Sequence, residues 1–158
     1  VTVIVWDGHT LATDAAATDG KALWKSQKAW YCDDPVNNVP VIISGAGPLQ
    51  TILEMRDWFQ SSALPNEFPQ VQLSPQFCHF VVIYAASGLS RWEQGLFPIR
   101  HGRDQCAFGE GKEFAYGALA MGADAKRAVE IAIDYSPHCG HEVRTYSLGE
   151  DGEDRQEI

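Results

Sequence analysis

Long apolar runs are missing from this sequence. Stretches such as Phe80 to Ala86 fall far short of the roughly 20 residues that cross a bilayer, so no membrane span and no membrane partner are expected. No charged segment followed by an apolar core opens the chain either. The run Val3 to Trp6 stops at Asp7-Gly8 after four residues, which is not a secretion signal, and a cytoplasmic location is expected. Cysteine is sparse and unpaired in sequence: Cys32, Cys78, Cys106 and Cys139 stand far apart with no Cys-x-x-Cys spacing. That pattern favours buried thiols in a reducing compartment over a disulfide framework or a zinc knuckle. Basic residues are outnumbered, 12 against 21 acids, and the net charge of −9 argues against a nucleic-acid surface. Internal repeats are absent, and so is the strand-helix-strand alternation that a parallel sheet demands.

What is present suffices for a core, since a chain of 158 residues buries about 68–70% of its unfolded surface. Val3 to Trp6 and Leu11 to Thr13 read as a hairpin closed by Asp7-Gly8, with Gly8 supplying positive φ. Lys28 to Cys32 and Val39 to Ser44 read as a second strand pair around the turn chemistry of DDPVNN, so four strands are expected before any helix. Gly45 and Gly47 free the backbone to turn, and Pro48 suits a helix start. Leu49, Ile52, Leu53, Met55 and Phe59 then mark a helix to about Gln60. The three prolines of SSALPNEFPQVQLSPQ indicate an irregular crossover. Phe77 to Ala86 is β-prone, SGLS turns it, and Arg91 to Glu93 and Leu96 to Ile99 are shorter strand candidates. Helices are expected over Lys112 to Met121 and Asp124 to Tyr135, separated by Gly122, and a last strand over Glu142 to Leu148. Residues 1–148 form the expected domain. Residues 149–158, GEDGEDRQEI, carry five acids against one arginine and read as a solvated tail.

The ordered stretches TVIVWDGHTLATD, TDG, SQKAWY, SGAG and FGEGKEFAYGALAMGADAKRAVEIAIDYSPHCGHEV resemble the proteasome β-subunit and HslV group of N-terminal-nucleophile (Ntn) hydrolases. The likeness is greatest to the short bacterial and phage versions. It runs from Thr2 to about Leu148 and is weak between Ser61 and Gln105. It implies an α+β fold, a four-layer αββα sandwich of two antiparallel sheets. In chemical terms, a threonine hydroxyl needs a base, and an N-terminal threonine carries one in its own α-amine. That amine has an ordinary pKa of about 7.7–8.0, against about 10.4 for lysine. Lys28 then serves as a positive charge that lowers the hydroxyl's proton affinity, and Asp14, at the far end of the hairpin, holds that ammonium. Thr2, Asp14 and Lys28 stand at the matching family positions. Lys21 and Lys25 compete with Lys28, but Lys28 opens the strand SQKAWYC, as the family's lysine does. The resemblance assigns the oxyanion-stabilising N–H to Gly45.

Two positions depart from the family pattern. Gly109-Glu110-Gly111 replaces a Gly-Ser-Gly whose serine assists the terminal amine, and Ser136, three residues before Cys139-Gly140, stands where the family has an aspartate. A carboxylate at Glu110 would raise the amine's proton affinity and move optimal activity to mildly alkaline pH. Glu110, Ser136 and Cys139 are therefore accessory candidates. His138, Cys139 and His141 lack metal-ligand spacing and read as a turn into the last strand. The five tryptophans read as core or subunit-contact residues.

The resemblance implies a threonine peptidase acting on peptide or unfolded protein, without metal or organic cofactor. It implies homo-oligomeric rings of six or seven subunits, stacked face to face, with an ATPase unfoldase as partner. Val1 stands where an initiator residue would, and its removal would expose the Thr2 amine. The alternatives are an inactive ring or scaffold subunit and an Ntn amidohydrolase acting on a small amide.

Overall fold

The computed structural model describes residues 2–18, 22–69, 78–92, 97–149 and 155–157. In chain order come β1 (Val3–Trp6), β2 (Leu11–Thr13), β3 (Ala16–Thr18), β4 (Leu23–Lys25), β5 (Ala29–Asp33) and β6 (Pro40–Ala46). Helix α1 (Leu49–Ser61) and a 3-10 turn (Pro65–Glu67) lead to β7 (His79–Tyr84), β8 (Gly88–Trp92), β9 (Ile99–Gly102) and β10 (Cys106–Gly109). Then follow α2 (Lys112–Ala120), α3 (Ala125–Tyr135), β11 (Arg144–Leu148) and β12 (Arg155–Glu157).

Successive side chains on a strand face opposite ways, so an unbroken apolar strand must be covered on both sides. Strand β1 meets this condition, with all four residues buried. Val3 and Val5 pack with Ala128, Val129 and Ala132 of α3, whereas Ile4 and Trp6 pack with Ile42, Val81 and Ile83 of a second sheet. One antiparallel sheet runs β10-β1-β2-β11-β12, the other β5-β6-β7-β8-β9, and β3-β4 form a separate hairpin. On the outer face of the second sheet, Val41, Ile43, Phe80 and Val82 meet Ile52, Met55, Trp58 and Phe59 of α1. The layers are therefore α2 and α3, sheet, sheet, α1: the expected αββα sandwich.

Local chemistry accounts for the element ends. Asp7 Oδ1 accepts the N–H groups of His9 and Thr10 at 2.9 and 2.8 Å and closes the β1–β2 turn, while its Oδ2 accepts the Ala125 N–H at 2.9 Å. A single carboxylate thus closes the hairpin and satisfies an orphan donor at the start of α3. Asp124 caps the same helix by accepting the Arg127 N–H at 2.8 Å. The buried residues of α3, Ala125, Ala128, Val129 and Ala132, follow a helical stripe of small side chains that seats the helix close to the sheet.

Several elements differ from the sequence expectation. Six strands precede α1 rather than four, because β3 and β4, three residues each, are too short to show an alternation. Strand β10 was hidden in the same way by its four residues and terminal glycine. Arg91 and Trp92 belong to β8, which begins at Gly88, and Ile99 opens β9. Phe77 and 93–96 lie outside the described residues, as do 70–76 of the crossover. Strand β11 begins at Arg144 rather than Glu142. Within the acidic tail, the backbone of Arg155–Glu157 pairs with Tyr146–Leu148. Backbone pairing needs no apolar side chains, so composition did not reveal it.

Candidate active site

The β1–β2 register sets Ile4 opposite Thr13. One step further, Val3 meets Asp14: the Asp14 N–H donates to Val3 O at 3.2 Å and Val3 N–H donates to Asp14 Oδ1 at 3.1 Å. Two residues far apart in sequence are thereby fixed at the same end of the hairpin. Lys28 lies just before β5, and its carbonyl is anchored by the Ser44 hydroxyl of β6 at 2.7 Å. From there its Nζ donates to Asp14 Oδ1 at 2.6 Å and to Thr2 Oγ1 at 3.1 Å. Gly140 N–H, beyond α3, donates to Asp14 Oδ2 at 3.1 Å. Asp14 has no exposed surface, and Thr2 and Lys28 keep only 8% and 7%.

This burial has an electrostatic consequence. Desolvation holds the Lys28 ammonium below the ordinary lysine range, opposed chiefly by the charge and hydrogen bond of Asp14. Asp14 is what offsets the desolvation of Lys28. Lys25 is diverted to Glu142 at 3.5 Å on the surface, and Lys21 lies outside the described residues, as does Val1.

Thr2 opens onto a cleft of about 670 Å³. Gly45 lies on its wall, and the β5–β6 register, with Ala29 opposite Ser44, brings Gly45 across from Lys28. A side chain at Gly45 would strike Ile52 Cδ1 and stand 2.8 Å from the His79 carbonyl oxygen, so the position accepts no Cβ without displacement. The N-terminus of α1 adjoins it, and no side chain caps that helix end. Opposite, Gly109, at φ +99°, pairs with Val3 and has no room for a Cβ against Thr2 O, while Gly111 N–H donates to that oxygen at 3.3 Å.

The accessory candidates lie around this frame. Glu110, between the two glycines, lines the cleft and takes His138 Nδ1 against its Oε2 at 3.2 Å. Ser136 ends α3: its N–H donates to Ala132 O at 2.8 Å and its Oγ accepts the His138 N–H at 3.2 Å. The Cys139 thiol is buried, and burial, reinforced by the Asp14 charge, pushes it up to about 11, so it is a neutral thiol at physiological pH. It packs against Gly111, where a Cβ would stand 2.6 Å from Sγ.

Sequence reasoning missed Ser44, His138 as the partner of Glu110, and two tryptophans. Trp24 and Trp30 line the cleft, Trp24 exposed and Trp30 partly buried against the cluster under α1. The signal for Trp24 lay in strands β3 and β4, themselves too short to read. The signal for Ser44 was its place just before Gly45.

The sandwich, with a threonine at the first strand's start, has the fold of proteasome-type Ntn hydrolases. Among solved structures, the chain is similar to BPH from Thiobacillus denitrificans, with a TM-score of 0.67 at 15% identity, covering 98% of this chain and 100% of that one. It is similar also to Anbu from Hyphomicrobium sp. strain MC1 (TM-score 0.74, 11% identity, 100% and 86% covered) and to HslV from Trypanosoma brucei (0.60, 19%, 91% and 96%). BPH has also been solved in complex with epoxomicin. No family model and no curated protein matches the sequence.

Proposed function

We propose that this chain is a threonine-type peptidase subunit of a ring complex, acting through Thr2 once the residue before it is removed. The observation that carries the reading is the buried chain of contacts from Asp14 through Lys28 Nζ to Thr2 Oγ1, opening on the cleft. The unblocked Thr2 amine takes the hydroxyl proton as Oγ1 bonds to the substrate's carbonyl carbon. Lys28 stabilises negative charge on Oγ1 as it forms. The Gly45 N–H serves the oxyanion, aided by the dipole of α1. The protonated amine then gives its proton to the leaving nitrogen as the C–N bond breaks, and water releases the acyl group.

The ring, of six or seven subunits stacked face to face, finds support in exposed Phe114 and Tyr135, whose rings stack, and Met121 just past α2, an apolar surface that association would cover. An ATPase unfoldase would feed such a chamber with unfolded protein.

The test is intact-mass analysis of the chain with Thr2 as its first residue after incubation with epoxomicin. An epoxyketone offers two electrophilic carbons to a residue carrying both hydroxyl and amine. A single covalent adduct is expected, absent in Thr2→Ala and in the chain retaining residue 1. No adduct with the trimmed chain, together with no cleavage of fluorogenic peptides, would favour the inactive scaffold reading. Cleavage confined to small acyl amides would favour the amidohydrolase.

A further inference from the structure

Two loops meet beside Thr2, and one side-chain pair bridges them. The first, Gly109-Glu110-Gly111, lies against the Thr2 main chain, Gly109 pairing with Val3 and the Gly111 N–H donating to Thr2 O. The second, from Ser136 to Gly140, grips Asp14 through the Gly140 N–H. Between them, Glu110 Oε2 and His138 Nδ1 stand 3.2 Å apart at the cleft edge. His138 is steadied in turn, because its own N–H donates to Ser136 Oγ. On a half-exposed surface this contact contributes little to stability. Its location gives it another use: Glu110, one carboxylate oxygen engaged by His138, lines the same cleft as Thr2.

We propose that Glu110 and His138 form a positioning pair for the Thr2 amine, His138 orienting the carboxylate and the carboxylate holding the ammonium formed during attack. This rests on the peptidase reading for its purpose, though not for its test. The proton leaves Thr2 Oγ1 for the amine as the Oγ1–carbon bond forms, and passes from the ammonium to the departing nitrogen as the C–N bond breaks. Glu110 and His138 finish each cycle in the protonation state in which they began. The charged and titratable groups that share the site are Asp14 from the end of β2, Lys28 before β5, His79 on β7, Lys112 and Glu113 on α2, and Cys139 beside His138. Glu110 is already among the charges acting on Lys28. A histidine donating from Nδ1 can be replaced by asparagine, whose amide N–H reaches nearly the same place, but not by alanine.

The experiment titrates the Thr2 amine itself. The chain beginning at Thr2 is reductively methylated with carbon-13 formaldehyde, and its N-terminal dimethylamine resonance is followed from pH 5 to 10. The resonance is assigned by its absence from the chain retaining residue 1. Glu110→Gln is expected to lower the midpoint by about one pH unit, as loss of a neighbouring carboxylate does. His138→Ala should give at least about half of that shift, and His138→Asn should stay within about 0.2 units of the parent chain. An unmoved midpoint in Glu110→Gln or His138→Ala overturns the proposal, as does His138→Asn behaving like His138→Ala. The titration needs no turnover. Should the midpoints move as stated while epoxomicin leaves the parent chain unmodified, the pair stands and the peptidase reading falls.

Discussion

Asp14 carries three donors on two oxygens: Lys28 Nζ and the Val3 and Gly140 N–H groups. Its removal strands a buried ammonium, a buried amide and a partly buried one at once. Asp14→Ala is accordingly expected to lose about 3–5 kcal/mol of unfolding free energy in urea. Asp14→Asn keeps an acceptor and should lose less, and a loss under about 1 kcal/mol in the alanine variant would contradict the assignment. At Thr2, alanine is expected to reduce peptide hydrolysis by about 10³-fold or more, and Lys28→Ala by about 10²-fold, in initial-rate assays. If the amine is the base and Glu110 raises its proton affinity, the rate of epoxomicin labelling climbs from pH 6.5 to 8.5. A profile flat from pH 6 to 9 would remove the amine from that role.

Elements differ sharply in how far their sequences announced them. Helices α2 and α3 were legible nearly to the residue, because Gly122 ends one, Asp124 caps the next, and eleven residues of α3 give the stripe three turns to declare itself. The β1–β2 hairpin was legible from Asp7-Gly8 and two apolar runs, and with it the approach of Asp14 to Thr2. Strands β3, β4 and β10 were not, since three or four residues cannot display a period. With them went Trp24 on the cleft wall. Spacing alone also could not show that Gly111 must be small, because the constraint comes from Cys139, 28 positions away, whose Sγ lies 2.6 Å from the place a Cβ would take. Gly111→Ala is expected to lose about 1–3 kcal/mol by overpacking. Adding Cys139→Ala should restore part of that loss, because the clash with Sγ goes while Val3 Cβ, at 3.0 Å, remains. A strictly additive double variant in denaturant titrations would show that the two sites do not touch.

Across the whole molecule, thiols are spread through the layers rather than paired. Burial raises Cys78 and Cys139 from 9.0 to about 11 and Cys106 to about 12. The folded chain therefore keeps protons that the unfolded chain loses above pH 9, and the stability present below pH 9 is expected to fall as pH rises toward 11–12. Lys28, whose proton affinity is lowered on folding, works in the opposite direction up to about 10.4. Urea midpoints at pH 8 and 10 read the balance, and Cys106→Ala should flatten the decline; an equally steep decline would remove Cys106 as a contributor. The apolar surface of α2 and α3 bears on assembly: Met121, 88% exposed, replaced by Asp is expected to shift native mass spectra toward smaller particles. An unchanged distribution would remove this surface as an assembly contact.

Asp7 and Asp14 stand at opposite ends of the first hairpin, and each grips a backbone amide at an opposite end of α3: Ala125 where the helix begins and Gly140 five residues after it ends. The helix is thus tethered fore and aft to the strands that carry Thr2, and it cannot pivot or slide without breaking a carboxylate contact. A push on α3 is therefore expected to reach the strands that carry Thr2 as displacement of Asp14 rather than to dissipate in a loop. The amide protons of Ala125 and Gly140 should accordingly exchange with solvent at closely matched rates, and Asp7→Ala should speed exchange at Gly140 as well as at Ala125.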